Sequence, residues 1–333
     1  MLPNYSILHK QDIFITEKYE PDIRRDELSF LSRSFERHFN ERPYLHHTCY
    51  LFLTKTTKER SRQQSNWNTL CRGFLVPKEI RDKETVERFM EAVGQFESIV
   101  NDSGLVRLER LTTEEITGTE NEPGIIERYL TLSADGTTML QDMQLNPDGM
   151  RIGDKRLCLH TLSDLDDLPG KVKTDGRYER LSTDRSDCRL SYAAPVGVML
   201  PCDHIYNQWI FIDDSNENLS RFEKAAKNMQ SLSRYSRSNQ INKEWLDEYL
   251  NEAHSNGLQS VRCHCNIIAW AENGHELRRV KNDVGSALAL MECTPHHNTT
   301  DLPALYWAGI PGNEADFPAE ETFYTFTDRK SVV

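Results

Sequence analysis

Across its 333 residues the chain has no apolar run long enough to cross a bilayer. Its longest runs, such as Tyr50-Leu51-Phe52-Leu53 and Ile267-Ile268-Ala269-Trp270, are of strand length, far short of the roughly 20 residues that a spanning helix needs. No charged-then-apolar leader opens it, so the expectation is a cytosolic protein. A surplus of positive charge is also missing. Forty Lys and Arg stand against 52 Asp and Glu, a formal net charge of −12. That balance argues against a protein whose main work is to neutralise phosphates. Lys and Arg do gather between Arg221 and Lys243, but acidic residues share the same stretch, as on a solvated helix face.

Several catalytic signatures are absent as well. A P-loop combines backbone N–H groups, a lysine and a metal-binding hydroxyl in G-x-x-x-x-G-K-[ST]. The nearest approach is Pro169-Gly170-Lys171-Val172, with Leu165 where the first glycine belongs and Val172 in place of the hydroxyl. There is no Gly-x-Ser-x-Gly for acyl transfer. Asn146-Pro147-Asp148-Gly149 lacks the second acidic ligand of a calcium loop and reads as a hairpin turn. Asp166-Asp167 and Asp213-Asp214 are sequence neighbours that a strand would send to opposite faces, so solvated turns are expected.

What is present is a mixture of period-2 and period-3.6 apolar patterns, with 38% hydrophobic and 28% charged residues, enough for packed cores. Ser6 to Phe14 and Thr48 to Thr54 read as strands, separated by a helix with Leu28, Leu31, Phe35 and Phe39 on one face, started by Asp26 and stopped by Pro43. Lys55 to Gly73 reads as an exposed loop. Asp82 can cap a helix that buries Val86, Phe89, Met90, Val93, Phe96 and Val100, ended by Ser103-Gly104, and Leu105 to Leu111 reads as a strand. Turn signals then crowd the middle, at Asp135-Gly136, Asn146 to Gly149, Pro169-Gly170 and Asp175-Gly176, with short strands at Met150 to Ile152 and Arg156 to His160.

Further on, Tyr206 to Asp213 is a strand. Ser215 caps a helix with Leu219, Phe222, Ala226, Met229 and Leu232 on one face. A second helix runs from Asn242 through Trp245, Tyr249 and Ala253 to Gly257, followed by the strand Val261 to Trp270. Asn273 and Glu276 have capping-box spacing and open a helix with Leu277, Val280, Val284, Leu288 and Met291 facing inward, closed by Pro295. The fold class is α+β: mixed α/β blocks with antiparallel sheets and packed helices, plus a β-rich insertion. The divisions fall at 1–135 (first α/β block), 136–195 (β-rich insertion), 196–296 (second α/β block) and 297–333.

The eight cysteines, at 49, 71, 158, 188, 202, 263, 265 and 293, read as reduced thiols in a chain of this size. Cys263-His264-Cys265, with Cys202, His204, Cys293, His296 and His297, has the residue types of a zinc site. Its spacing argues against one. On a strand, alternation puts Cys263 and Cys265 beside Val261 and Ile267, with His264 on the opposite face, and free Cys behaves as a small buried hydrophobe.

Three stretches are more specific. They are Leu200-Pro201-Cys202-Asp203-His204-Ile205-Tyr206-Asn207-Gln208-Trp209-Ile210-Phe211-Ile212-Asp213, then Tyr306-Trp307-Ala308-Gly309-Ile310-Pro311-Gly312-Asn313-Glu314-Ala315-Asp316-Phe317-Pro318, and, less marked, His9-Lys10-Gln11-Asp12 with Leu51 to Thr56. Together they resemble the amino-terminal region of TraG-type conjugation ATPases of Bacteroides-type conjugative transposons, within the type IV secretion ATPases. The resemblance runs along essentially the whole chain.

It implies an α/β region that precedes a RecA-like motor, with the P-loop lying beyond Val333 and an earlier strand and helix lying before Met1. Residues 297–333 would lead to that motor. Pro311, Gly312 and Asn313 would be structural residues of the crossing, and Pro-Gly suits a turn with positive φ at glycine. ATP and magnesium would belong to the motor, with no catalytic residue, cofactor or metal in the part spanned here. The implied role is a non-catalytic assembly and docking domain, cytoplasmic and peripheral at the inner membrane. Its partners would be inner-membrane components of the conjugation machinery, its own motor domain and other copies of itself, with nucleic acid disfavoured by the charge. Two other classes compete: a self-contained Cys/His metal-dependent hydrolase, and a single-stranded DNA-binding module.

Overall fold

The computed structural model describes residues 2–18, 29–40, 42–61, 82–133, 141–146, 149–172, 175–197, 199–232, 236–297 and 299–326. The α+β class is borne out: one antiparallel sheet of nine strands is packed by helices. Its main path runs β2-β1-β8-β9-β5-β4-β3, from β1 (Ser6–Glu17), β2 (Tyr44–Lys55), β3 (Met143–Asn146), β4 (Gly149–Ile152), β5 (Lys155–Leu162), β8 (His204–Ile212) and β9 (Ser260–Ala271). The remaining edge of β9 takes β11 (Phe323–Phe326) beside β5, and the far edge of β5 takes β10 (His296–His297) beside β4. A separate ribbon pairs β6 (Asp175–Arg177) with β7 (Arg189–Ser191).

All four sequence divisions therefore send strands into one sheet. The β-rich stretch does hold β3 to β7, but its β5 lies inside the sheet, paired with β9 from Arg156↔Ala271 to Leu162↔Cys265. Residues past 297 also belong to this body, because β11 lies on β9 from Phe323↔Cys263 to Phe326↔Ser260.

Both faces of the sheet are covered, which is why its central strands carry apolar residues at successive positions. On one face Ile7, Leu157, Ile205, Trp209, Phe211, Ile268 and Trp270 pack under α5 (Ile125–Thr131), α9 (Leu302–Ala308) and the segment Ile310 to Phe317. On the other, Cys158, Leu162, Ile267 and Ala269 meet Val280, Val284, Ala287 and Leu288 of α8 (Gly274–Leu290) and the turn carrying Val196 and Leu200. Burying a large side chain such as Trp209 or Leu288 contributes roughly 1.5–3 kcal/mol each. Helices α6 (Ser215–Leu232) and α7 (Arg237–Asn256) connect β8 to β9, and Tyr249 of α7 stacks on Phe326 at 4.3 Å.

The local signals mostly act as read. Asp82 caps α3 (Lys83–Asp102), accepting from the Thr85 N–H, and Asn273 accepts from the His275 and Glu276 N–H groups at the start of α8. Gly257 ends α7 in the left-handed conformation. At α6 the cap is Asp214, whose Oδ1 accepts from the Glu217 N–H, while the Ser215 hydroxyl accepts from the Ser260 N–H instead.

Other expectations are corrected. Leu105 to Leu111 forms no strand, with Leu105 88% exposed, and short helices α4 (Thr113–Thr117) and α5 follow. Helix α3 forms but has no buried residue, and neither has α1 (Phe30–Asn40). Among the described residues no apolar face of another element covers them fully, and Phe89, Val93, Phe96 and Val100 reach only half-burial. Lys58–Ser61 forms a short helix, α2, at the start of the expected loop. Asp175-Gly176 lies in a strand, and Trp245 is 59% exposed. Asp26, Leu28, Asp135-Gly136, Pro147-Asp148 and most of Lys55 to Gly73 lie outside the described residues.

Candidate functional site

Pro311, Gly312 and Asn313 form a tight turn on the first face of the sheet. Pro311 takes the position where a fixed φ is favoured, Gly312 follows with φ +97°, and the Asn313 N–H donates to the Ile310 carbonyl at 2.9 Å. This is the geometry of a type II turn, in which the third residue needs positive φ. The turn aims the next residue, Glu314, into the protein, where it is fully buried. Its Oε1 accepts from the Gly312 N–H at 3.1 Å, and its Oε2 accepts from the Thr54 hydroxyl of β2 at 2.9 Å.

Glu314 faces one end of a buried polar row that crosses three central strands. His9 of β1 lies 3.7 Å from Glu314 Oε1 through Nδ1, while its Nε2 reaches Asn207 Oδ1 of β8 at 3.0 Å. Gln11 donates to the same Asn207 oxygen and to the Gly309 carbonyl, both at 3.0 Å. The Asn207 amide donates to Asn266 Oδ1 of β9 at 3.0 Å, and the Asn266 amide reaches His264 Nε2 at 3.1 Å. His264 Nδ1 ends the row on the Glu321 carbonyl. The pairings His9↔Trp209, Gln11↔Asn207 and Asn207↔Asn266 place these side chains on one face.

The row fixes its own proton positions. Asn207 Oδ1 can only accept, so His9 Nε2 carries a proton. Asn266 Nδ2 can only donate, so His264 Nε2 is unprotonated and Nδ1–H points to Glu321. Burial pushes His264 down to about 4, which agrees with a neutral ring. Burial alone would raise the Glu314 carboxyl, but the His9 ring beside it and the backbone N–H groups of Glu314 and Gly312 hold it below the ordinary range. Beside the row, Arg262 and Asp213 form a buried ion pair, Nε to Oδ2 at 2.6 Å, and Arg262 Nη1 donates to Thr322 Oγ1 at 3.2 Å. Asp316 receives Arg60 Nη2 at 2.6 Å. The covering segment 309–322 is thus pinned by charge from β1, β2, β9 and α2. Pro311, Gly312 and Asn313 make the turn that delivers Glu314 into this network.

His9, Asn207 and Glu314 lie in the three specific stretches, but neither they nor Asn266 were set apart as site residues. Polar residues at inward positions of otherwise apolar strands were the available signal. Asp213 and Asp167, expected in solvated turns, are buried.

The cysteine and histidine residues do not gather. Cys263 and Cys265 share one face of β9, with Cys265 against the second core, while His264 points into the polar row. Burial pushes the thiols of Cys158, Cys202 and Cys263 up to about 12 and that of Cys265 to about 11, far from nucleophilic thiolates at neutral pH. Both ring nitrogens of His204 face carbonyls, of Cys202 at 2.8 Å and Val196 at 2.7 Å. Among the described residues, the only three metal-ligating side chains that converge are Asp164, Asp167 and His296, with atoms within 4.8 Å. Asp167 is already engaged there: Oδ2 accepts from the Ser163 and Asp164 N–H groups, and Oδ1 pairs with His296 Nε2 at 2.8 Å. That fixes a turn to the strand β10. Among the described residues no helix is long and apolar enough to cross a membrane. In comparisons with known proteins, no family model matches the chain and no curated protein is similar to it.

Proposed function

We propose that the chain is a non-catalytic assembly module, the role that its resemblance to the amino-terminal region of TraG-type conjugation ATPases implies. It would join the motor domain to inner-membrane components of a conjugation apparatus, as a cytoplasmic part held peripherally at the membrane. One observation supports this reading best. Helices α1 and α3 present apolar side chains to solvent, with Phe30 83%, Phe35 60%, Met90 48% and Ile99 67% exposed. Apolar side chains exposed on a helix are a usual feature of protein-docking surfaces.

The test is co-purification of the chain with the motor domain and with the membrane components of the same apparatus. Phe35→Asp and Ile99→Asp, at exposed positions, should abolish capture while changing stability by less than about 0.5 kcal/mol. Calorimetry with ATP should give no binding heat. Tight ATP binding, or capture indifferent to both substitutions, would overturn the proposal.

A further inference from the structure

At the β5 edge of the sheet the ladder is interrupted. β4 pairs only Lys155 and Arg156, and β10 pairs only His160 and Thr161. Between them, beside Leu157, Cys158 and Leu159, opens a cleft of about 210 Å³, walled by Lys281 and Asn282 of α8, by His297, by Thr299 and by Leu302. In the strand order it lies across β9, β8 and β1 from β2, which forms the other edge of the sheet.

The chemistry of the walls has one sign. Lys281 is half-buried, and among the described residues no carboxylate lies within ion-pair distance of it. Among the described residues no acidic side chain lines the cleft. Asn282, His297 and Thr299 add neutral groups able to donate hydrogen bonds. His297 is backed by the fully buried His160, ring centroids 4.1 Å apart and 62° from parallel. Neither nitrogen of His160 makes a hydrogen bond of good geometry, although the Lys281 backbone is close by. A half-buried ammonium with no carboxylate in ion-pair range among the described residues, beside donors of hydrogen bonds, gives a setting that favours an anion. A metal cation is disfavoured there, because Lys281 would repel it.

We propose that this cleft is an oxyanion site, taking the phosphate or carboxylate group of a small ligand on Lys281, Asn282, His297 and Thr299. Lys281 supplies the charge, and His297, held in place by His160, supplies a directed donor. The apolar wall of Leu157, Leu159 and Leu302 would meet the carbon part of the ligand. The volume suits the anionic group and a short carbon part of a small phosphorylated or carboxylated metabolite. Burial, His297 and Lys281 push His160 down to about 3, and burial and Lys281 lower His297, so both rings are neutral before an anion arrives.

The experiment is an NMR titration of the whole chain, reading the imidazole carbon–proton signals of His297 and His160, first with inorganic phosphate and then with acetate. A saturable shift of both rings with phosphate, at a Kd of about 1 mM or tighter, is expected. Saturation by phosphate alone assigns a phosphate site, and saturation by acetate alone assigns a carboxylate site. Lys281→Met should weaken binding at least about tenfold, an amount that loss of one charge-assisted contact accounts for. Thr299→Val, which leaves the charge and the fold untouched, should weaken it about threefold. The proposal is overturned if neither anion gives a saturable shift up to about 50 mM, a range that covers even weak single-group recognition. It is equally overturned if Lys281→Met, with an otherwise unchanged spectrum, binds as the parent chain does.

Discussion

His9 lies flat against Trp209, ring centroids 4.3 Å apart and planes 6° from parallel, with its Nδ1 turned to the buried carboxylate of Glu314 at 3.7 Å. A residue near the start of the chain and one near the end of its described part thus meet across β1 and β8. This contact holds the covering segment on the sheet, and the first prediction concerns it.

Glu314→Gln keeps the shape of the side chain and removes its charge. It should destabilise the protein by about 2 kcal/mol at pH 7, the scale of hydrogen bonds to a charged group. The folded-state pKa of Glu314 is lowered, so its contribution is present above the unfolded value of about 4.3 and is lost as pH falls through the folded value. Urea unfolding at several pH values should therefore show the gap between parent and variant closing below about pH 4. A gap that stays constant across that range would mean that the carboxylate charge is not what stabilises the segment.

Arg262 and Asp213 are buried together, 4% and 2% exposed at their side chains. Removing one partner leaves the other charge uncompensated, so Asp213→Ala should cost about 3–5 kcal/mol. Replacing both, with Arg262→Met added, should recover a large part of that loss. Chemical denaturation of the two single variants and the double variant forms the cycle that reads the coupling. Additive losses would contradict it.

Gly312 has φ +97°, and a methyl group there would meet no atom within 4 Å. The penalty of Gly312→Ala is then backbone strain alone, about 1–2 kcal/mol. Pro311→Ala should cost under about 1 kcal/mol, because it loosens mainly the unfolded chain. Thermal melts of the two variants decide the order. A larger effect at Pro311 would assign the turn's rigidity to proline.

Cys49 of β2 is opposite Asp12 of β1 in the ladder. Desolvation of the thiol, then the Asp12 carboxylate, push Cys49 up to about 11. Asp12→Asn should lower that value and speed iodoacetamide labelling of Cys49 at pH 8 by about three- to tenfold, since the thiolate is the reactive form. Mass spectrometry of the Cys49 peptide over a pH series measures it, and an unchanged rate would remove Asp12 as a cause.

Much of the framework is legible in the sequence because its signals are short-ranged. Alternation marks β1, β8 and β9, and it also sets Cys263 and Cys265 apart from His264. Asp82, Asn273 and Gly257 mark helix ends because an orphaned backbone group is satisfied by a side chain within three residues, or by a glycine free to turn left-handed. Pro311-Gly312 marks its own turn. The lysine and arginine residues of α6 stand exposed at Arg221, Lys224 and Lys227, as a solvated face requires.

The tertiary structure decided what those elements touch. Leu105 to Leu111 has strand-like residues but, among the described residues, no neighbouring strand to share its hydrogen bonds, and a strand exists only in pairs. The apolar stripes of α1 and α3 specify helices without specifying a covering surface, so the same pattern that buries Val280 and Val284 leaves Met90 and Ile99 in water. His9, Asn207, Asn266 and Glu314 are ordinary polar residues one at a time. Only strand order and register bring them into one dry row, where each must find a partner because water cannot supply one. What the Pro311-Gly312 turn is for was therefore settled by its neighbour: the sequence by itself determined the bend, and the sheet beneath determined that it buries Glu314 against His9.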